Sequence, residues 1–245
     1  MNRNHFPVAL AMIQPEPLPG SYLNHGMNID EVVEIAIGEA RMLADNGFDG
    51  YIIQNRNDAP IRQEANVETT AYRRAVPNLI QGILVNWDGE SSLAVADAAG
   101  SDFIRVEHTY TSVEVGYAGL MQAQCVDILA LKKRLGSKIP IFADVQEVHY
   151  EQVCGKSVVD NAWDTVMNAF ADGLFIGGHS VQESMELIRA VRGRLGSEIP
   201  IFLSSGSTGD NIKEGNMRNP INPERAKAFM DQVRELRAER SASGR

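Results

Sequence analysis

The stretch RLGSKIPIF at residues 134–142 recurs almost unchanged as RLGSEIPIF at residues 194–202. Each copy joins a helix end, Arg-Leu-Gly, to an apolar strand that begins at a proline. Gly adopts positive φ without strain just past a helix C-terminus, and Pro is tolerated at the first residue of a strand. A helix-to-strand junction that recurs after 60 residues predicts two βα units per repeat, and hence a β/α barrel of similar quarters.

The rest of the chain continues this pattern, because strands that begin at a proline alternate with strands that begin at an aspartate. Such short apolar runs are typical of strands buried on both faces of a parallel sheet. We predict parallel strands at about 8–13, 50–54, 80–85, 103–107, 140–144, 173–177 and 200–204. Helical periodicity separates them at 29–46, 119–135 and 182–195, more weakly near 67–76 and 90–99, and again after Asn222-Pro223.

The pattern calls for an eighth strand that the sequence lacks. Residues 206–225 (GSTGDNIKEGNMRNPINPER) contain no apolar run long enough for a core strand. Bare strand edges invite association, so we expect residues 210–221 or a second subunit to cover the gap, and the protein to be a homo-oligomer. The fold class is α/β, a TIM-type (β/α) barrel with an incomplete or modified eighth unit. We predict one domain over residues 1–236 and a polar, disordered tail at 237–245.

Composition agrees with this class and excludes others. A chain of 245 residues with 44% apolar content is long enough for a full core. Its net charge of −9 and the lack of a long basic run argue against nucleic acid as a partner, since phosphate contacts need clustered Lys and Arg. No signal peptide or long apolar run is evident, and two cysteines suit a reducing compartment. We therefore expect a cytoplasmic protein without a membrane span.

The strand C-termini carry the candidate functional residues, because chemistry in a β/α barrel is located at that end. We expect a small-molecule ligand there. The predicted catalytic residues are Asp144, Glu107, His108 and His149. The predicted substrate-binding residues are Gln14, Gln54, Asn55, Asp58, Asn86, His179, Ser205, Gly206 and Ser207.

Asp144 is the most specific of these residues. It ends an apolar strand at the position where the sister repeat has Ser204. A buried carboxylate is costly alone, so Asp144 either meets a ligand or, as a structural residue, pairs with Arg105 or a loop amide.

Histidines and glycines in the same loops suggest two further kinds of site. Four of the five histidines fall there. They either bind metal or move protons, or they lie there only because polar residues gather in loops. No His-x-x-x-His or Glu-x-x-His spacing is present, so no motif requires a cofactor or metal, although a divalent metal is left open. Gly177-Gly178 and residues 206–209 offer backbone N–H groups for a phosphate, but the same residues are ordinary turn chemistry.

Several segments together resemble the BtpA/SgcQ family of β/α barrels. They are MIQPEPLPGS (12–21), QNRNDAP (54–60), SDFIRV (101–106), FADV (142–145) and NPINPER (219–225), in order over residues 8–230. The resemblance implies a single-domain barrel of the phosphate-binding type. One branch of the family is linked to photosystem I accumulation, and another is found with sugar-uptake genes.

The chain departs from this family's pattern at several titratable positions. The pattern has His at Gln14, Glu at Gln54, His and Lys at Gln146 and Val148, an acid near Tyr117, and a last strand with a Gly-rich loop between Gly209 and Lys213. Asp58, Asp144 and Ser205-Gly206 match it.

Two functions follow from the sequence. The first is an enzyme that acts by acid–base chemistry, as a lyase, isomerase or hydrolase, on a small polar metabolite. The metabolite would be sugar- or nucleoside-like, with or without a phosphate. The alternative is a non-catalytic barrel that binds a ligand or stabilises a partner complex, as in photosystem I biogenesis. The retained Asp, Glu and His residues favour the enzyme, and the neutral replacements and the missing strand favour the alternative.

Overall fold

A computed structural model describes residues 7–59, 76–116, 119–146, 151–153, 155–204 and 220–243, with the side chains of His108 and Glu151 outside the description. The chain has ten described strands. They are β1 (Leu10–Ile13), β2 (Gly50–Gln54), β3 (Ile80–Leu84), β4 (Phe103–Val106), β5 (Glu114–Gly116), β6 (Gly119–Met121), β7 (Ile141–Gln146), β8 (Glu151–Gln152), β9 (Gly173–Ile176) and β10 (Ile201–Leu203).

Seven of these strands form one curled parallel sheet of the half-barrel type, in the order β1-β2-β3-β4-β7-β9-β10. All seven predicted strands are confirmed, in position and in direction. Within the described part of the chain, β1 pairs only with β2 and β10 only with β9. The segment expected to cover this gap lies mostly outside the described residues, so its role stays a prediction.

Six described helices accompany the sheet: α1 (Ile29–Asn46), α2 (Gly89–Ala99), α3 (Cys125–Leu135), α4 (Val158–Met167), α5 (Val181–Leu195) and α6 (Pro223–Ala242). The helices predicted at 29–46, 90–99 and 182–195 are confirmed. The start of α6 is also confirmed, since the Asn222 side chain accepts the N–H groups of Glu224 and Arg225. The helix predicted near 67–76 falls almost entirely outside the described residues, and α4 was not predicted.

One helix prediction was wrong in its extent. Residues 119–121 form β6, in a small antiparallel sheet of order β6-β5-β8, and α3 begins only at Cys125. Gly119 has a φ of 93°, a conformation that glycine adopts without strain, and pairs with Gly116 in the antiparallel β5–β6 register. This pairing places residues 119–121 in a strand where side-chain periodicity had suggested helix.

The two repeated junctions behave as predicted. Gly136 follows α3 with a φ of 63°, and Gly196 follows α5 with a φ of 76°. Strands β7 and β10 then begin directly after Pro140 and Pro200.

Each aspartate-started strand is anchored by the same pair of hydrogen bonds. The aspartate accepts the N–H of a residue at the start of the neighbouring strand and donates its own N–H to that residue's carbonyl. The pairs are Asp49 with Ala9, Asp102 with Gln81 and Asp172 with Ile141, with side-chain bonds of 2.7, 2.9 and 2.9 Å. These bonds satisfy backbone groups at the strand starts, which explains why alternate strands begin with aspartate.

The two faces of the sheet pack differently. One face packs against the helices, through residues such as Ile53, Ile104 and Leu174. The other faces the barrel interior and carries stacked aromatic rings, with Phe103 and Phe142 4.9 Å apart and Phe175 and Phe202 5.0 Å apart between centroids. We call this interior apolar layer the floor.

The C-terminal helix α6 packs against the N-terminal part of the chain. The rings of Phe229 and Phe48 stack 5.8 Å apart, and Arg237 donates to Pro7 O at 2.8 Å and to Asp49 at 2.5 Å. Residues 237–242 continue this helix.

Candidate functional site

The C-terminal ends of the parallel strands carry a layer of polar side chains directly above the floor, which we call the mouth. Residues two apart along a strand face the same side. Phe142, for example, belongs to the interior cluster, and Asp144 follows it in the same phase, whereas Asn86 lies in the turn after β3. The phase of the other strands likewise directs Gln54 and Glu107 toward the interior. Gln14, Gln54, Glu107 and Asp144 therefore share one end of the barrel, together with the turn that carries Asn86.

An ion pair between Arg105 and Asp144 lies at the level where the floor meets the mouth. Arg105 Nε and Nη2 donate to the two Asp144 oxygens at 2.9 and 2.7 Å, and the side chains are only 11% and 2% exposed. Arg105 Nη2 also donates to Ser204 Oγ at 2.8 Å, and the guanidinium lies 4.5 Å above the centre of the Phe175 ring. Asp144 thus has the partner that the structural interpretation named, and the pair connects β4, β7 and the end of β10.

Amide side chains connect the ends of β1 and β2. Gln14 Nε2 donates to Gln54 Oε1 at 3.0 Å. Asn57 Nδ2 donates to the carbonyl oxygens of Gln14 and Pro15 at 3.1 and 2.8 Å. These bonds hold the first loop against the second, so the buried β1–β2 side of the mouth is a neutral amide surface.

Asn55 and Asp58 extend this network toward β3. Asp58 Oδ1 accepts the Leu18 N–H at 2.7 Å, and Oδ2 accepts from Asn55 Nδ2 at 3.4 Å. Burial raises the pKa of Asp58, and these two hydrogen bonds oppose the rise. The Asn55 oxygen in turn accepts the Asn86 N–H at 2.8 Å, which ties the β2 loop to the end of β3.

Glu107 fixes the backbone that follows β3. Its Oε2 accepts the Trp87 N–H at 3.0 Å, and the glutamate is buried. Trp87 has a φ of 61°, a left-handed conformation that is unfavourable for a bulky residue. Its carbonyl accepts from Gln124 Nε2 at 3.1 Å, and its ring packs against Met121. Strain of this kind persists only where surrounding contacts enforce it, and it is common at functional sites.

A bulge distorts the end of β7. The pairing with β9 shifts register between Asp144 and Gln146. The carbonyl of Val145, between them, accepts from the side chains of Gln152 and Asn161 at 3.2 Å each. Bulges of this kind re-aim side chains next to active sites.

Other predicted residues are placed elsewhere or lie outside the description. His25 and His179 are exposed, and neither joins the hydrogen bonds of the mouth described above. His108 begins a short 3-10 turn after β4. His149, Ser205, Gly206 and Ser207 lie outside the described residues.

The predicted phosphate loop after β9 is already occupied by protein groups. The Gly178 N–H donates to Ser184 Oγ at 2.9 Å, and the His179 N–H donates to Glu183 Oε2 at 2.7 Å. These N–H groups are therefore engaged within the protein. The second predicted phosphate loop, at residues 206–209, is not described.

Within the described ranges, no cluster of three or more His, Cys, Asp or Glu side chains is arranged to hold a metal ion. Across the same ranges, no helix is long and apolar enough to cross a membrane.

Sequence reasoning missed several contributors to the mouth, including Asn57, Trp87 and Gln124. Their roles depend on backbone groups of other loops, which no local motif announces. Arg105 was named only as an alternative partner of Asp144.

The comparisons with known proteins show the family of this chain and agree with its fold. The model of the BtpA family matches residues 5–235. The chain belongs to the BtpA family. It is 29% identical to an uncharacterized protein of Thermococcus kodakarensis, with 93% of this chain and 95% of the relative covered. It is also 29% identical to the photosystem I biogenesis protein BtpA of Synechocystis, with 95% and 90% covered.

Solved structures similar to this BtpA-family chain include barrel enzymes. A dihydropteroate synthase from Xanthomonas albilineans matches with a TM-score of 0.53 and 16% identity, over 96% of this chain and 84% of that one. The HMG-CoA lyase from Brucella melitensis matches with a TM-score of 0.53 and 12% identity, over 94% and 99%. At these identities the likeness shows the fold alone.

Proposed function

We propose that the mouth binds a small polar metabolite and that the protein acts on it by acid–base chemistry. The observation that supports this proposal most is the layer of buried hydrogen-bonding side chains directly above an apolar floor. Ligand sites in barrels combine apolar walls with a few placed polar groups in this way. The metabolite would be sugar- or nucleoside-like, and whether it carries a phosphate is left to the test.

In this proposal Glu107 is the proton-transfer group. It is a buried carboxylate at a strand C-terminus, and its position is held by the Trp87 N–H. Asp144 is a positioning residue, because both of its oxygens accept from Arg105. Arg105 and Ser204 would then contact the ligand from the opposite side. His108 and His149 keep the proton-relay role assigned from the sequence.

The alternative proposal is a non-catalytic barrel that binds a ligand or supports assembly of a partner complex. The Synechocystis relative is named as a photosystem I biogenesis protein. The Gln14–Gln54 pair favours this alternative, since neither amide transfers protons at neutral pH.

Ligand-induced stabilisation followed by a turnover assay separates these proposals. Thermal unfolding is measured with ribose 5-phosphate, adenosine, uridine and inorganic phosphate. A ligand at about 100 times its Kd stabilises the protein by roughly 2.7 kcal/mol. Any stabilising compound is then incubated with the protein and followed by proton NMR.

The enzyme proposal expects conversion of a stabilising compound. It also expects Glu107→Gln to retain binding while the rate falls about 100-fold or more. Stabilisation without conversion in the unmodified protein would support the non-catalytic alternative. No stabilisation by any compound would count against the enzyme and against a ligand-binding barrel, and would leave only the assembly role.

A further inference from the structure

Asn86 has an unusual environment at the end of β3. It is fully buried, at 0% exposure, and neither its Oδ1 nor its Nδ2 has a hydrogen-bond partner in the described structure. Buried amide groups are almost always paired, because an unmet donor or acceptor costs free energy. An amide left in this state is therefore expected to pair with a group that the protein itself does not supply.

The backbone on both sides of this amide is fixed by side chains from neighbouring strands. Asn55 Oδ1 accepts the Asn86 N–H at 2.8 Å, and Glu107 Oε2 accepts the Trp87 N–H at 3.0 Å. The left-handed φ of Trp87, 61°, is held by these contacts and by Gln124. Such support fixes the backbone that carries the Asn86 side chain before any ligand arrives.

The turn that carries Asn86 lies among the strand C-termini. Strand β3 ends at Leu84, and the Asp88 N–H donates to Val85 O at 3.1 Å across this turn. The bonds from the turn to Asn55, after β2, and to Glu107, after β4, therefore place Asn86 in the mouth.

An asparagine side chain presents one acceptor and one donor side by side in a plane. Its complement is a planar group with an N–H next to a carbonyl oxygen or an equivalent acceptor. We propose that Asn86 pairs through both amide atoms with an amide-like edge of the ligand, either a carboxamide or the lactam edge of a nucleobase. The inference rests on the proposed function, since it names part of the ligand that the mouth would bind. An enclosed water molecule is the competing occupant.

Matched pairs of small compounds test this inference. The probes are uracil against 1,3-dimethyluracil, and nicotinamide against N,N-dimethylnicotinamide. In each pair methylation removes the N–H donors and keeps the ring. Binding is measured by calorimetry and thermal shift. A site built for a bidentate amide pair should bind at least one parent compound roughly 10- to 100-fold more tightly than its methylated partner.

Two variants complete the test. Asn86→Leu should weaken binding of the parent compound at least about tenfold and abolish the preference over the methylated one. Its Tm without ligand should be unchanged or higher, because a buried unpaired amide has been removed. The matched control is Asn161→Leu, whose amide is bonded to Thr111, Ser112 and Val145. That variant should have a lower Tm.

The outcomes are distinguishable. A lower Tm in Asn86→Leu, comparable to that of Asn161→Leu, would indicate a structural water and overturn the inference. Equal binding of the parent and methylated probes would overturn it as well. Stabilisation by ribose 5-phosphate but by no amide probe would overturn the Asn86 inference and leave the proposed function standing. Binding of no compound at all would contradict both.

Discussion

Replacement of Asp144 by asparagine should destabilise the protein by about 3 kcal/mol. Asp144 accepts two charge-assisted bonds from Arg105, and its side chain is 2% exposed. Asparagine keeps one acceptor and points an N–H toward the guanidinium. Loss of one hydrogen bond to a charged group costs about 1.5–3 kcal/mol, and breaking a buried ion pair costs about 3–5 kcal/mol.

The cost lies at the lower end of the range for breaking a buried ion pair, because Arg105 keeps other favourable contacts. Ser204 Oγ still accepts at 2.8 Å, the Phe175 ring lies 4.5 Å away, and the Arg105 side chain is 11% exposed. Urea unfolding followed by circular dichroism measures the change. In an Arg105→Met background the cation is gone, and the same replacement should cost less than about 1 kcal/mol.

The control for this experiment is Asp231→Asn, which removes an exposed partner of Lys227 and Arg234. Its effect on unfolding should be barely measurable, since exposed pairs are screened by water. A change of less than about 0.5 kcal/mol for Asp144→Asn in both backgrounds, the range of ordinary surface substitutions, would refute the ion-pair account.

Further predictions address the floor, helix α1, the core and the loop after β2. A methyl group added at Gly82 would lie 2.3 Å from a phenylalanine ring, so Gly82→Ala should cost about 1–3 kcal/mol in urea unfolding. Gly38→Ala, on α1 with no atom within 4 Å, should instead stabilise by about 0.5–1 kcal/mol. Tyr110→Phe should lower the unfolding free energy by about 1–3 kcal/mol, because the buried Ala169 carbonyl loses the hydroxyl that donates to it at 2.5 Å. Burial raises the pKa of Asp58 above its ordinary 3.8, so its contribution to stability falls as pH rises through the raised pKa. Carboxyl-carbon NMR should show that titration above 3.8, and the stability of the unmodified protein relative to Asp58→Asn should decrease across the same interval.

The strand pattern was predictable because its causes are local. Proline at a strand start and glycine after a helix act through their own backbone angles. The aspartates at strand starts act through one neighbour in the sheet, as the Asp102 bond to the Gln81 N–H shows. The short strand at 119–121 was not predictable from periodicity, since the side-chain pattern of three residues is too short to distinguish a strand from a helix.

The residues that line the mouth were predictable, but the hydrogen bonds between them were less so. Parallel strands end at one rim, so Gln14, Gln54 and Asn86 could be assigned to it from their positions alone. The left-handed Trp87 and the bonds from Asn57 to two carbonyl groups of another loop arise from tertiary contacts that one sequence does not encode locally. The Arg105–Asp144 pair depends on the register of β4 and β7, which the sequence left open.

The central claim is that the mouth encloses a ligand that pairs with Asn86. A high-resolution crystal structure of the protein, grown with the parent probe that binds most tightly, tests it most directly. The account predicts probe atoms about 2.7–3.2 Å from both Asn86 Nδ2 and Oδ1, above the Phe103–Phe142 floor. Ordered water alone beside Asn86, with the probe absent or bound outside the mouth, would contradict the account.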